Sequence, residues 1–375
     1  MTRLMARVST AQSVSRNSPQ GAFGSAKPPP GTQYVFRLSS FVFIAALLPR
    51  LYALGTFLTI DEVKWAEGAA QFLLALQSGN LAQTYWHFFP GITIAWGGAL
   101  TLGLMCWPAP DLAQCAQSQV ENLAASIGWL RLTPVLLTSL GITGVYLLSR
   151  KLLDERVALL AALLLAFDPF FIAHSRILNG DAVAAIFMFL SLLAFLLYWL
   201  NEAANQRIAN NISICHPPST IRHSLIFSAV MAALALLTKL PAPLIGLFIA
   251  GLSLLLMALT WHQAGWFAAR RWLKTLALWG GVALILFFLL WPALWVAPFE
   301  TLGRMVFDSF EVGGASEGHD TFFLGQTLDD PGPWFYPYTL AFRLTPVVML
   351  GLLITIGWLI LHVTSHSHPT RSELV

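Results

Sequence analysis

The sequence predicts an all-α polytopic membrane protein with about eight transmembrane helices, and three observations carry that reading. The 375 residues are 57% hydrophobic and only 10% charged, with a mean hydropathy of +0.68, a composition that excludes a soluble domain. Apolar runs of roughly 17–22 residues recur along the chain, close to the ~20 needed to cross a bilayer. Each must be helical, because lipid offers no partner to a bare backbone. With both termini in the cytoplasm, fourteen of 21 Lys and Arg fall inside, as the positive-inside bias requires.

Taken in order, residues 1–37 are polar and contain Pro28-Pro29-Pro30 but no apolar core of a signal peptide. They are expected to form a disordered cytoplasmic tail. The transmembrane domain is expected over 38–362, followed by a short cytoplasmic tail, 363–375. Its spans are predicted at 38–58, 131–149, 157–173, 181–200, 224–238, 241–260, 275–296 and 340–362. The fifth and sixth share a Pro-broken joint. The run from Gly91 to Trp107 is also apolar, but if it spanned, the charge bias would vanish. It is read as an interfacial or re-entrant helix. Cys106 and Cys115 fall in the same outer loop and could pair, with free thiols as the default; Cys215 would be cytoplasmic. The sequon at Asn211 would also be cytoplasmic and carries no consequence.

Two long loops, 59–130 and 297–339, lie on the same outer face, and long loops are usually functional. Fourteen of 18 Asp and Glu also fall outside, although carboxylates contribute little to topology. The chemistry is therefore expected on that face.

The first outer loop opens "GTFLTIDEVKW". Asp61 and Glu62 stand together where the first span meets water, in a chain with few charges. The bland alternative is a solvated loop start. Trp65, Ala69, Phe72, Leu73 and Leu76 follow at helical spacing, which predicts an amphipathic helix on the outer surface. A general base there would meet a substrate with a polar head and a lipid tail. His87, in "YWHFFPG", is a candidate phosphate or metal contact. Asp168, His174, Arg176 and Asp181 cluster in "FDPFFIAHSRILNGD". Arg176 is suited to grip phosphate oxygens, or to pair with Asp168 or Asp181 and fix the loop. Lys239, in "LLTKLPA", is flanked by apolar residues and needs a partner, unless it snorkels to the interface. The last outer loop, rich in Gly, Pro and aromatics, offers His319, Tyr336 and Arg343 as an ordered lid or acceptor-binding loop.

The ordered set "DE", "HFFPG", "HSRILNGD", "TKLPA", "FFLGQ" and "DPGPWFYP" resembles bacterial membrane glycosyltransferases of the protein O-mannosyltransferase and aminoarabinose transferase type, family 39-like, over about Leu38 to Leu361. The resemblance implies a GT-C helical bundle that transfers a sugar from a polyprenyl-phosphate donor at the outer face of the plasma membrane. It implies that Asp61 is the catalytic acid-base residue, with Glu62 beside it, and that basic outer residues bind the lipid phosphate. The expected partners are that donor, a protein, lipid or glycan acceptor and membrane lipid, with no nucleic acid. No metal-ligand spacing argues for a cofactor, and a divalent cation is left open. Relatives of this type usually carry more spans, so the chain reads as a minimal or truncated member. The alternative is a transporter or flippase for a lipid-linked or anionic solute, but internal repeats of the kind transporters often show are not visible.

Overall fold

The computed structural model describes residues 30–209, 219–314, 321–328 and 330–366. Residues 1–29 and 367–375 of the expected tails, the Asn211 sequon, Cys215 and His319 lie outside them. The chain divides into two compact units, one of Met1–Phe167 with Phe171–Glu311 and the other of Asp168–Phe170 with Val312–Val375.

Among the described residues the fold is helical apart from one small hairpin, in keeping with an all-α membrane protein. Four helices are long and apolar enough to cross a membrane, or six if each of two bent helix pairs forms one span. The first helix, α1 (Pro30–Leu51), begins inside the segment expected as a tail and ends seven residues short of the predicted span. Residues 52–58 are instead a loop with Ala53 at φ 50°. α2 (Ile60–Ser78) starts after Thr59 and carries Asp61 and Glu62 in its first turn, where acids suit the positive end of the helix dipole.

A short 3₁₀ turn (Leu81–Thr84) leads to α3 (Ile92–Met105). At ~1.5 Å per residue its 14 residues reach only ~21 Å against a ~30 Å hydrocarbon core. That length suits the interfacial or re-entrant helix expected at 91–107. α4 (Leu112–Glu121) is tied back to the end of α3 by a Cys106–Cys115 disulfide, which overturns the free-thiol default. The turn between the helices brings the two Cα atoms to 5.8 Å, within bridging distance.

α5 (Leu123–Leu130) and α6 (Leu132–Leu152) together make one candidate span that starts eight residues before the predicted one. α7 (Glu155–Ala166) and α8 (Pro169–Ser175) form a bent pair. α9 (Asp181–Ala209) is the central helix, packed on α6 and on α10 (Ser219–Thr238). Close approach here uses small residues: Ala229, Ala232 and Ala233 of α10 are fully buried. Polar bonds add to it, because Ser191 and Ser228 exchange hydroxyl-to-carbonyl bonds of 2.9 and 2.8 Å across α9 and α10. Small residues and interhelical hydrogen bonds are what hold helices together where lipid supplies no hydrophobic drive.

α11 (Pro243–Leu290) is 48 residues long but is not straight. Gly265, at φ 76° and ψ 176°, breaks it into arms of 243–264 and 266–290. Trp272 Nε1 donates to Thr260 Oγ1 at 3.0 Å. A straight helix would separate residues twelve apart by ~18 Å. The arms therefore fold back on each other as a helical hairpin, and a glycine at the turn meets the positive φ without a Cβ penalty. The predicted sixth span, 241–260, falls on the first arm but for its first two residues, and the predicted seventh, 275–296, overruns the second arm, which ends at Leu290. α12 (Ala293–Val296) and α13 (Pro298–Gly314) follow.

In the second unit, β1 (Thr321–Phe323) and β2 (Gln326–Leu328) pair antiparallel through a two-residue turn. Leu324 and Gly325 both have positive φ there, as a tight hairpin turn requires. α14 (Phe335–Arg343) and α15 (Pro346–His366) complete the unit, with a sharp bend between them.

Candidate active site

The structure gives the two adjacent acids different surroundings. Glu62 is fully buried, and Arg131 at the α5–α6 joint grips it with two bonds, Nε to Oε1 at 2.7 Å and Nη2 to Oε2 at 2.6 Å. The same carboxylate accepts from the backbone N–H of Leu178 at 2.7 Å and of Thr59 at 2.9 Å. Burial alone would raise its pKa. The Arg131 bond, the two backbone donors and the Arg131 charge outweigh burial and hold it below the usual 4.5. Asp61, its neighbour, is exposed and has no hydrogen-bond or ion-pair partner among the described residues.

The loop that leads into Asp61 is pinned from two sides. Arg131 donates to the carbonyls of Leu54 and Phe57 and lies 5.1 Å from the Phe57 ring centroid. Arg176 donates to the carbonyl of Tyr52, and its Nε is buried without a partner. Arg50, at the end of α1, bonds Ser175 Oγ at 2.7 Å and the Ala166 carbonyl at 2.9 Å. Three arginines thus define the path of the chain from α1 to α2.

Trp65 lies one helical turn beyond Asp61 and is almost fully buried. Its ring meets Trp86 edge-on at 5.3 Å and stacks on Phe89 at 5.0 Å. A Cβ on Gly180 would come within 3.0 Å of the same ring, and one on Gly68 would overlap the Trp86 ring at 2.5 Å. His87 stacks on Phe89 with centroids 3.8 Å apart. Lys239 Nζ stands 5.8 Å from the Phe89 centroid and is ion-paired with Asp181 at the start of α9. The expected residues His87, Asp181 and Lys239 therefore come together around one aromatic group. The fold reaches it by placing the start of α9 beside the end of α10, where Thr238 Oγ1 also bonds Thr93 Oγ1 of α3 at 2.6 Å.

A second cluster adjoins His87. Tyr85 donates to Asp308 Oδ2 at 2.7 Å, and the Arg304 guanidinium lies 4.4 Å from the Tyr85 ring centroid. Burial, then the bond to Asp308, pushes the Tyr85 pKa well above its usual 10. Burial first, and the Lys64 charge second, push His87 below its usual 6.5, against a smaller pull from Asp308.

The other expected residues stand apart from this arrangement. His174 is half-buried near the end of α8. Asp181 is paired with Lys239, so the loop-fixing partner of Arg176 is a backbone carbonyl rather than that acid. Tyr336 and Arg343 belong to the second unit, where Tyr336 is 75% exposed and Arg343 lies 5.3 Å from the Phe170 ring centroid. Among the described residues no three His, Cys, Asp or Glu gather as metal ligands. Beside the α2 start, a cleft of about 420 Å³ is lined by Leu58, Val63, Glu67, Gln117 and Glu121, among others.

Arg131 and Arg50 were not singled out from the sequence. Each lies in an apolar context, "GWLRLTP" and "LLPRLY", and the argument applied to Lys239 would have flagged both.

Residues 123–209 match the model of the dolichyl-phosphate-mannose-protein mannosyltransferase family. The segment includes Arg131, Arg176, Leu178 and Asp181. The match supports a membrane glycosyltransferase of the GT-C type in general. No curated protein and no solved structure matches the chain.

Proposed function

We propose that the protein is an inverting glycosyltransferase that moves a sugar from a polyprenyl-phosphate donor to an acceptor at the outer face of the plasma membrane. The observation that carries this reading is the free carboxylate of Asp61, held by a pinned loop and a buried Glu62–Arg131 pair within one helical turn of the aromatic group that bears Lys239. Asp61 takes the proton from an acceptor hydroxyl or amine. The acceptor oxygen or nitrogen forms a bond to the anomeric carbon as the bond from that carbon to the phosphate oxygen breaks. Polyprenyl phosphate leaves with the electron pair, and the configuration inverts.

Lys239 balances the charge on the leaving phosphate, with Asp181 as its counter-ion before the donor arrives. Glu62 and Arg131 act as positioning residues, and Arg176 acts through the loop it holds. The cleft beside Leu58 and Val63 suits an acceptor with hydroxyl or amide groups along an apolar edge.

Eight spans accommodate the apolar helices: α1, α5–α6, α7–α8, α9, α10, the two α11 arms and α14–α15. Both termini then lie in the cytoplasm. The Cys106–Cys115 disulfide falls in the first outer loop, and disulfides persist in oxidising compartments. The test is a transfer assay on purified protein with a panel of polyprenyl-phosphate sugars. Release of polyprenyl phosphate from at least one donor, lost in Asp61→Asn, is expected. A folded parent protein that turns over none of them, or an Asp61→Asn variant as active as the parent, overturns the proposal.

A further inference from the structure

The turn of the α11 hairpin carries features for which sugar transfer has no use. Trp261, Trp266 and Phe267, on either side of Gly265, are 55%, 46% and 78% exposed. Arg270, Arg271 and Lys274 follow at the start of the second arm. The Arg270 guanidinium lies 4.8 Å from the Phe267 ring centroid, and that of Arg271 lies 5.2 Å from Trp272. Trp261 and Trp266 meet edge-on at 5.6 Å, and Trp272 is bonded to Thr260 across the turn. The tip is therefore locked, with aromatic and cationic groups together. Glu202, near the end of α9, faces Arg271, while Arg270 and Lys274 are exposed.

We propose that this hairpin tip is a binding site for the headgroup of an anionic phospholipid. Arg270 and Lys274 take the headgroup phosphate, and Trp266 and Phe267 lie at the boundary of headgroup and acyl chain, where amphipathic rings settle. Charge complementarity selects this occupant. The exposed groups at the tip are cationic, and a zwitterionic lipid brings its own ammonium to oppose them. The proposal rests on the protein being embedded in a membrane and is independent of the transfer reaction.

The test titrates the purified full-length protein in neutral detergent with phosphatidylglycerol and with phosphatidylcholine, reading retained lipid by native mass spectrometry. The parent is expected to prefer phosphatidylglycerol by about tenfold or more, and each charge removed is expected to weaken that binding about fivefold. Arg270→Gln with Lys274→Gln should therefore abolish most of the preference and leave phosphatidylcholine retention unchanged. Arg270→Lys with Lys274→Arg should keep it. If the double Gln variant does not fold, Lys274→Gln alone carries the test with a fivefold loss. Equal retention of the two lipids by the parent, or undiminished phosphatidylglycerol binding by a folded Gln variant, overturns the site.

Discussion

Asp61 and Glu62 are neighbours in sequence with opposite environments, and each predicts its own phenotype. Asp61→Asn should fold normally and lose about 10²-fold or more in transfer rate, the usual scale for removing a general base; single-turnover kinetics on purified protein reads this. Arg131→Ala leaves the buried Glu62 charge without its partner. That should cost about 3–5 kcal/mol, seen as a large drop in thermal midpoint in detergent. Acid should destabilise the fold in two stages. The His87 imidazole is held below 6.5 in the folded chain, so the unfolded state takes that proton first as pH falls past 6.5. Glu62 is held below 4.5, so its contribution is full above 4.5 and is lost as pH falls through its lower folded value. Thermal midpoints should therefore begin to fall below about pH 6.5 and fall further below about pH 4.5. His87→Gln should remove the first stage only. At this scale the adjacent acids, His87 and Lys239 were legible because polar groups are scarce in such a chain. The partners were not, because Arg131 and Arg176 act on carbonyls 77 and 124 residues away, and no local pattern encodes such a pairing.

Among the elements, α2 depends on close approach of its middle to the "WHFFPG" turn. Gly68→Ala should push the Trp86 ring aside and cost about 1–3 kcal/mol, the range for overpacking a core; tryptophan fluorescence together with the thermal midpoint checks it. Topology is tested at the same scale. Single cysteines at Lys64 and Arg150, in a variant with the native cysteines removed, should react oppositely with a membrane-impermeant reagent. Equal labelling would break the eight-span arrangement. Among the described residues apolar length found the long apolar helices and the charge bias singled out α3, but α13 fell in a stretch read only as an outer loop. Helix ends were less legible. α1 stops at Leu51, and the carbonyls of Tyr52, Leu54 and Phe57 beyond it bond to arginines from distant elements, while α5 joins α6 although Arg131 stands between them. The α11 turn at Gly265 falls in the joint expected between the sixth and seventh spans, and what hydropathy does not register is the Trp272–Thr260 bond that secures the fold-back.

For the whole molecule, composition alone was enough for the membrane class, since 57% hydrophobic residues leave no other solvent for these helices. The candidate site was assembled by topology, as the start of α9 and the end of α10 deliver Asp181 and Lys239 to a turn that precedes them by roughly a hundred residues or more. The two arginines that pin the approach to Asp61 both lie in 123–209, the segment with family likeness, whereas Asp61 lies outside it. That segment works as a jig, and the first turn of α2, with Asp61 on it, is the workpiece it aligns. Sequence drift at Tyr52 and Leu54 is then tolerable, because the jig touches only main-chain oxygens there, which every residue type supplies, whereas Phe57 also offers its ring to Arg131. Drift at Arg131 or Arg176 has no such latitude, since a bent jig would misalign any acid placed in it.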